Sequence, residues 1–315
     1  MDGSIAFTLG LSEGVAWPWP IAVYLFFAGI SGGALTIALG LRLYKGQSGN
    51  TPLLKAASIT ALVTIGLGML CLVLDLTNPL FFWRILVFYN LNSVMSIGVI
   101  ALCAYMPLLA LVCLIALKEE LKYLPMGAML TGIAARLEGQ RRPMEIALLV
   151  LAVSVCAYTG FLISALIRFP IINTSVLPAL FVASGLSAGA AAAKMVAVRF
   201  FNEDLHSSDM KLLHGAEWPI MAAEALFLFM IIVSLATGNA GAQMAFAAFN
   251  GGDWSMLFWL GVVGVGFVLP LLLNFATGKR FSHSAQAFYL GGLCAVSGMM
   301  CLRLFILYAG QSYAI

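Results

Sequence analysis

Charge is what this sequence has least of. Only 9% of its 315 residues are Asp, Glu, Lys or Arg, against about 25% in an ordinary soluble domain. So little charge cannot cover a globule in water, which excludes a soluble enzyme, a nucleic-acid binder and a disordered chain. Histidine is nearly absent. His206, His214 and His283 are the three present, and each reads as a loop or helix-mouth residue. A membrane helix that holds haem needs His inside the span, so haem is not expected. The lack of clustered ligands argues likewise against zinc and iron–sulfur centres. Cysteine is sparse and scattered: Cys71, Cys103, Cys113, Cys156, Cys294 and Cys301 stand singly, with no C-x-x-C spacing, and read as unpaired packing residues. The polar–apolar alternation of a barrel is missing too. The first ten residues, MDGSIAFTLG, carry no basic leader, so the first span is expected to insert uncleaved.

What is abundant is hydrophobicity: 62% of residues, gathered in long runs. A spanning helix needs about 20 apolar residues. The breaks predict eight spans at 19–43, 53–76, 91–117, 144–167, 175–198, 216–238, 255–277 and 285–310. The expected fold is all-α, a polytopic membrane protein of eight transmembrane helices in two tandem four-helix bundles. Residues 1–143 with the span 144–167 form the first bundle and 175–315 the second. Thirteen of the 16 Lys and Arg fall in loops on one side, leaving Arg84, Arg168 and Arg303 for the other. Cytoplasmic loops are the basic ones, so both termini are expected on the periplasmic side of a bacterial inner membrane. A repeat agrees with this. GISGGA at 29–34 recurs as GLSAGA at 185–190, with four of six positions identical. An offset of four spans requires the two halves to share one orientation. Each copy holds G-x-x-x-G, which lets helices approach closely in lipid.

Polar side chains inside a membrane are costly and mark function. Asp75 lies near the outer end of the second span, Tyr24 near that of the first and Tyr158 deeper in the fourth. Helix rise puts all three roughly 2–14 Å below the outer boundary. Arg84, Asn90, Asn92 and Arg168 flank them. A tyrosine near an interface also suits the aromatic belt, as do Trp17, Trp19, Trp83 and Trp254, and an Asp at a helix end can snorkel to water. From the other side come Glu217 and Glu224, seven apart and so on one helical face, with His214 three residues earlier. Glu224 lies about 12 Å inside the inner boundary. The three are expected to line a polar cavity that could carry protons; Glu224 could instead be a neutral packing residue.

WPWPIAVYLFFAGISGGA at 17–34, LTNPLFFW at 76–83, AYTGFLISAL at 157–166, HGAEWPIMAAE at 214–224 and LRLFILYAGQ at 302–311 together resemble the NrfD/PsrC family of quinone-reactive respiratory membrane subunits. The likeness runs along nearly the whole chain and leans towards the subunits of formate-dependent nitrite reductases. It implies quinone or menaquinone as substrate, bound near the periplasmic face, and no haem or iron–sulfur cluster in this chain. It also implies a four-cluster ferredoxin-type iron–sulfur partner on that face, leading to a terminal reductase. By motif match Tyr24 stands where some relatives have a quinone-bonding His, and Tyr158 is the Tyr of the YTG motif. A phenol is a poor base near neutral pH, which gives Asp75 the role of proton acceptor. The repeat has Leu180 at the place of Tyr24, which favours one site. The expected function is quinol oxidation. Quinone reduction by the same fold stays open, as does a secondary transporter, which tandem bundles and a buried Glu would also suit.

Overall fold

The computed structural model describes residues 17–47, 49–76, 79–90, 92–123, 125–251, 253–275 and 284–312. Eight helices are long and apolar enough to cross a membrane, as expected. They are α1 (Trp19–Lys45), α2 (Pro52–Leu74), α3 (Val94–Ala116), α6 (Arg141–Ser164), α7 (Leu177–Phe200), α8 (Ser208–Ala236), a composite seventh span, and α12 (Ala285–Ser312). The composite runs from α10 (Asp253–Met256) through a π-helix (Leu257–Val268) into α11 (Leu269–Phe275). Shorter pieces join them: a 3₁₀ turn Pro79–Leu86, α4 (Lys118–Leu121), α5 (Gly127–Leu137) and α9 (Ala240–Asn250).

Local signals set the boundaries. Pro at the first turn starts α1, α2 and α7, where a missing N–H costs nothing. Thr51 Oγ1 accepts the Leu54 N–H at 3.2 Å and caps α2. Gly46, at φ 61°, closes α1; its N–H bonds Leu43 O while Gln47 N–H bonds Arg42 O, a Schellman end. α8 begins eight residues earlier than the apolar run suggests, because Ser207 Oγ accepts the Met210 N–H. His214 and Glu217 therefore sit within a helix and not before one. The fourth span is likewise extended: the chain is nearly continuously helical over Gly127–Ser164.

α1 is the central helix, packed on α2, α6, α7 and α12. The repeated motif explains its closest neighbour. A Cβ on Gly33 would run into the carbonyl of Gly185, and one on Gly189 into the backbone of Gly33 and Ala34. The two copies of the repeat are thus the two sides of one helix crossing. Cys156 of α6 closes the third side, its Sγ 3.6 Å from Gly29 O.

The basic ends of α1 and α6 are tied by a buried network. Glu145 accepts from Arg42 Nε at 2.9 Å and from Arg141 Nε at 2.7 Å. Arg141 also reaches Glu138 at 3.0 Å and the side chain of Asn50. Arg42 reaches the Gly49 carbonyl. At the opposite end Trp17 N–H donates to Gln311 Oε1 at 2.8 Å and Gln311 Nε2 returns to Trp17 O at 3.1 Å. Trp17 therefore clasps α1 to α12 and is more than a belt residue.

Candidate functional site

Tyr24 is buried, 1% exposed, against α2. A Cβ on Gly68 would lie 3.5 Å from its ring, in ordinary van der Waals contact. Tyr158 depends on a glycine more strictly. Its ring lies across Gly98 of α3, where any Cβ would overlap it, and its hydroxyl is 3.4 Å from Met95 O. The two phenols are near enough to act on each other electrostatically. Asp75 caps α2, its N–H bonded to Cys71 O. Seven residues beyond Gly68, it lies on the same stripe of α2 as the contact with Tyr24, roughly 10 Å further out by helix rise. It stands one residue past the span, and partial burial pushes its carboxyl above the usual carboxylate range. Tyr24 thus lies against α2 and Tyr158 against α3, with Asp75 at the end of α2 on the stripe that Tyr24 touches.

The flanking residues do other things. Arg84 is exposed and stacks on its own segment, 4.5 Å from the Phe81 ring centre and 5.8 Å from that of Trp83. Asn90 accepts the Asn92 N–H at 3.1 Å and shapes the turn before α3. Arg168 is exposed in the connection to α7.

Two buried polar centres were not singled out by sequence. Ser31, the polar residue of the first repeat copy, donates to Ala61 O at 2.9 Å and accepts from Tyr105 Oη at 2.7 Å. This joins α1, α2 and α3 in mid-span. The second centre is Arg303. Counted among the outer-side cations from sequence, it is instead wholly buried inside α12. Its guanidinium lies 3.5 Å over the Phe181 ring and donates to Ser184 Oγ at 2.9 Å and Phe181 O at 3.2 Å. The sparsely charged side is left with Arg84 and Arg168, so the basic asymmetry is sharper than the sequence count. The signal was in the motif: an Arg a full two turns from the end of an apolar helix is too deep to snorkel easily.

Glu224 of α8 is buried as well and feels the Arg303 charge from a distance, with no ion pair between them. Glu217 is held otherwise, by an ion pair with Lys194 of α7 and by His214 Nδ1 at 3.0 Å. A cavity of about 740 Å³ opens between α7, α8, α11 and α12, with Glu217, His214 and Lys194 in its wall. On α8 it reaches Met221, one helical turn short of Glu224. His214 and Glu217 thus line a cavity whose wall is mostly apolar, while Glu224 is not among its lining residues and lies in the protein interior. His206 is on an exposed turn. His283, with Lys279 and Arg280, lies outside the described residues. Among the described residues no cluster of three His, Cys, Asp or Glu could hold a metal ion.

A multi-pass α-helical membrane protein with polar groups buried between its spans is the class that this arrangement defines. The chain belongs to the NrfD family: the model described as "Polysulphide reductase, NrfD" matches residues 8–314. It is 42% identical over 302 residues to a membrane-family relative named as a polysulfide reductase component in Wolinella succinogenes, with 95% of both proteins covered. It is 38% identical to the protein NrfD of Escherichia coli, over 95% of this protein and 96% of that one. A selenate reductase component of Mesobacillus selenatarsenatis is more distant, at 25% identity over 96% of this protein and 77% of its own length.

Proposed function

We propose that this protein is the quinol-oxidising membrane subunit of an anaerobic respiratory reductase complex in a bacterial inner membrane, with both termini periplasmic. Its family comprises membrane subunits of quinol-linked reductase complexes, and two of its relatives are named as parts of reductases. The observation that supports the reading is the placement of two phenols between spans of one half of the chain, Tyr24 against Gly68 of α2 and Tyr158 against Gly98 of α3, with Asp75 on the Gly68 stripe of α2. Oxidation of a quinol releases two electrons and two protons and leaves the quinone. The two phenols orient the head group by hydrogen bonds to its oxygens. Asp75 accepts a proton and passes it to the outer surface. The electrons leave for an iron–sulfur partner of the four-cluster ferredoxin type docked on that face, and through it for a terminal reductase. Residues 1–167 act as the quinone-binding bundle and 175–315 as the second bundle.

Substitution in the assembled complex tests this. Tyr158→Phe removes one hydrogen bond to a neutral partner, worth about 0.5–1.5 kcal/mol, and is expected to slow quinol-dependent electron transfer roughly 2- to 13-fold. Asp75→Asn is expected to be slower still, since it also removes the base. Full quinol oxidation by an assembled Asp75→Asn complex would refute the proton-acceptor role.

We further propose that His214, Glu217 and Glu224 form a proton path from the basic face. Glu217 and His214 stand in the wall of the cavity at its basic rim, and a single turn of α8 separates Met221, on that wall, from Glu224. In proteoliposomes turning over quinol with a chemical electron acceptor, wild type is expected to give a voltage-dye signal that Glu224→Gln reduces. Equal turnover with no voltage signal in either protein removes the path and leaves Glu224 a packing residue.

A further inference from the structure

We propose that the cavity at the basic end of α7, α8, α11 and α12 is a binding site for an anionic phospholipid. Its volume of about 740 Å³ falls within the ~300–1,000 Å³ of ligand sites. Its position is the first argument. α8 packs along α7 and, among the described residues, makes no extended packing with α11 or α12. The cavity is the cleft this leaves, at the depth where lipid headgroups meet acyl chains.

The chemistry of its wall is the second argument. The interior is apolar and deformable, formed by Met195, Met210, Met221 and Phe288. Thioether side chains adapt to an irregular guest such as an acyl tail. The rim is cationic. Lys211 is exposed on it, and His206 and His214 stand beside it. Glu217 is the one carboxylate among the lining residues, and Lys194 and His214 already hold it. His206 has Asp204 at 3.8 Å, outside the lining. Among the described residues, the charge left facing the guest is that of Lys211, so a phosphate without a compensating ammonium fits best. Basic pockets between helices on a cytoplasmic side suit such headgroups. A free phosphate would use the rim alone, and a quinone the interior alone; a phospholipid of net negative charge uses both.

Trp218 lines the cavity and supplies the readout. The full-length protein is titrated in detergent with phosphatidylglycerol or phosphatidylcholine brominated on the acyl tails. The quenching lost in Trp218→Phe is taken as the signal of the site. Phosphatidylglycerol is expected to quench at several-fold lower concentration than phosphatidylcholine. Lys211→Gln is expected to narrow that preference about fivefold, the equivalent of about 1 kcal/mol per surface cation. Lys211→Arg should keep it, and inorganic phosphate should leave the quenching in place. Equal quenching by the two lipids, or an unchanged preference in Lys211→Gln, overturns the proposal. Relief of quenching by millimolar phosphate overturns it too, by reducing the site to an anion-binding rim.

Discussion

Glu145→Leu is expected to destabilise the protein by about 3–5 kcal/mol, the cost of leaving buried charge without its partner. Glu145 is 3% exposed and is the shared acceptor for Arg42 and Arg141. Removing it leaves two buried guanidinium groups facing each other at the base of α1 and α6. Arg42 and Arg141 keep their bonds to Gly49 and Asn50, and Arg141 keeps its ion pair with Glu138, but the acid that bridges the two guanidinium groups is lost. Glu145→Gln keeps an acceptor and a donor but no charge, and should fall between wild type and leucine. Thermal unfolding in detergent reads the order. A leucine variant within about 1 kcal/mol of wild type would mean that water reaches the network and screens it. The effect should extend to the outer half, because α1 carries Tyr24 and α6 carries Tyr158. Loosening their common base allows the two phenols to drift apart.

Arg303→Met should be comparably damaging, for a different set of contacts. The Ser184 hydroxyl loses its donor, the Phe181 carbonyl loses one of its two side-chain donors, the Phe181 ring loses its cation, and Glu224 loses a positive charge in its surroundings. Breaking a buried charged group from its partners costs about 3–5 kcal/mol. The second substitution makes the test specific. Adding Glu224→Gln to Arg303→Met removes the stranded acid and should recover part of the loss, with a coupling of about 0.5–3 kcal/mol. If the double variant is no more stable than the sum of the singles requires, Glu224 and Arg303 do not act as a pair. Arg303 then serves α7 and α12 alone.

Some of this was legible before any coordinates. The eight spans were, because a run of about 20 apolar residues is a local property that the bilayer requires. The repeat was legible, and so was its use for close approach. That its copies meet each other was not, since a motif of small residues does not name its partner. Tyr24 and Tyr158 could be picked out as polar groups at outer depth. The glycine that makes room for the Tyr158 ring, Gly98, carries no signal of its own in a sequence with 31 glycines. The start of α8 was misjudged by eight residues. Its cap, Ser207, precedes a polar first turn that reads as loop when only hydrophobicity is followed.

By itself, the sequence determined that this is a membrane protein of eight helices, which family it belongs to, and which face of it is basic. Each of these rests on the order of residues along the polypeptide. The tertiary structure decided which buried polar groups are partners. Arg303 turns inward to Ser184, Glu217 is tied to Lys194, and Tyr105 bonds Ser31. These pairs join residues as much as 119 positions apart. A buried charge is tolerable only where a second helix brings its complement within a few ångströms. Helical periodicity tells which side a residue faces on its own helix, and only the packing of the helices tells what waits there.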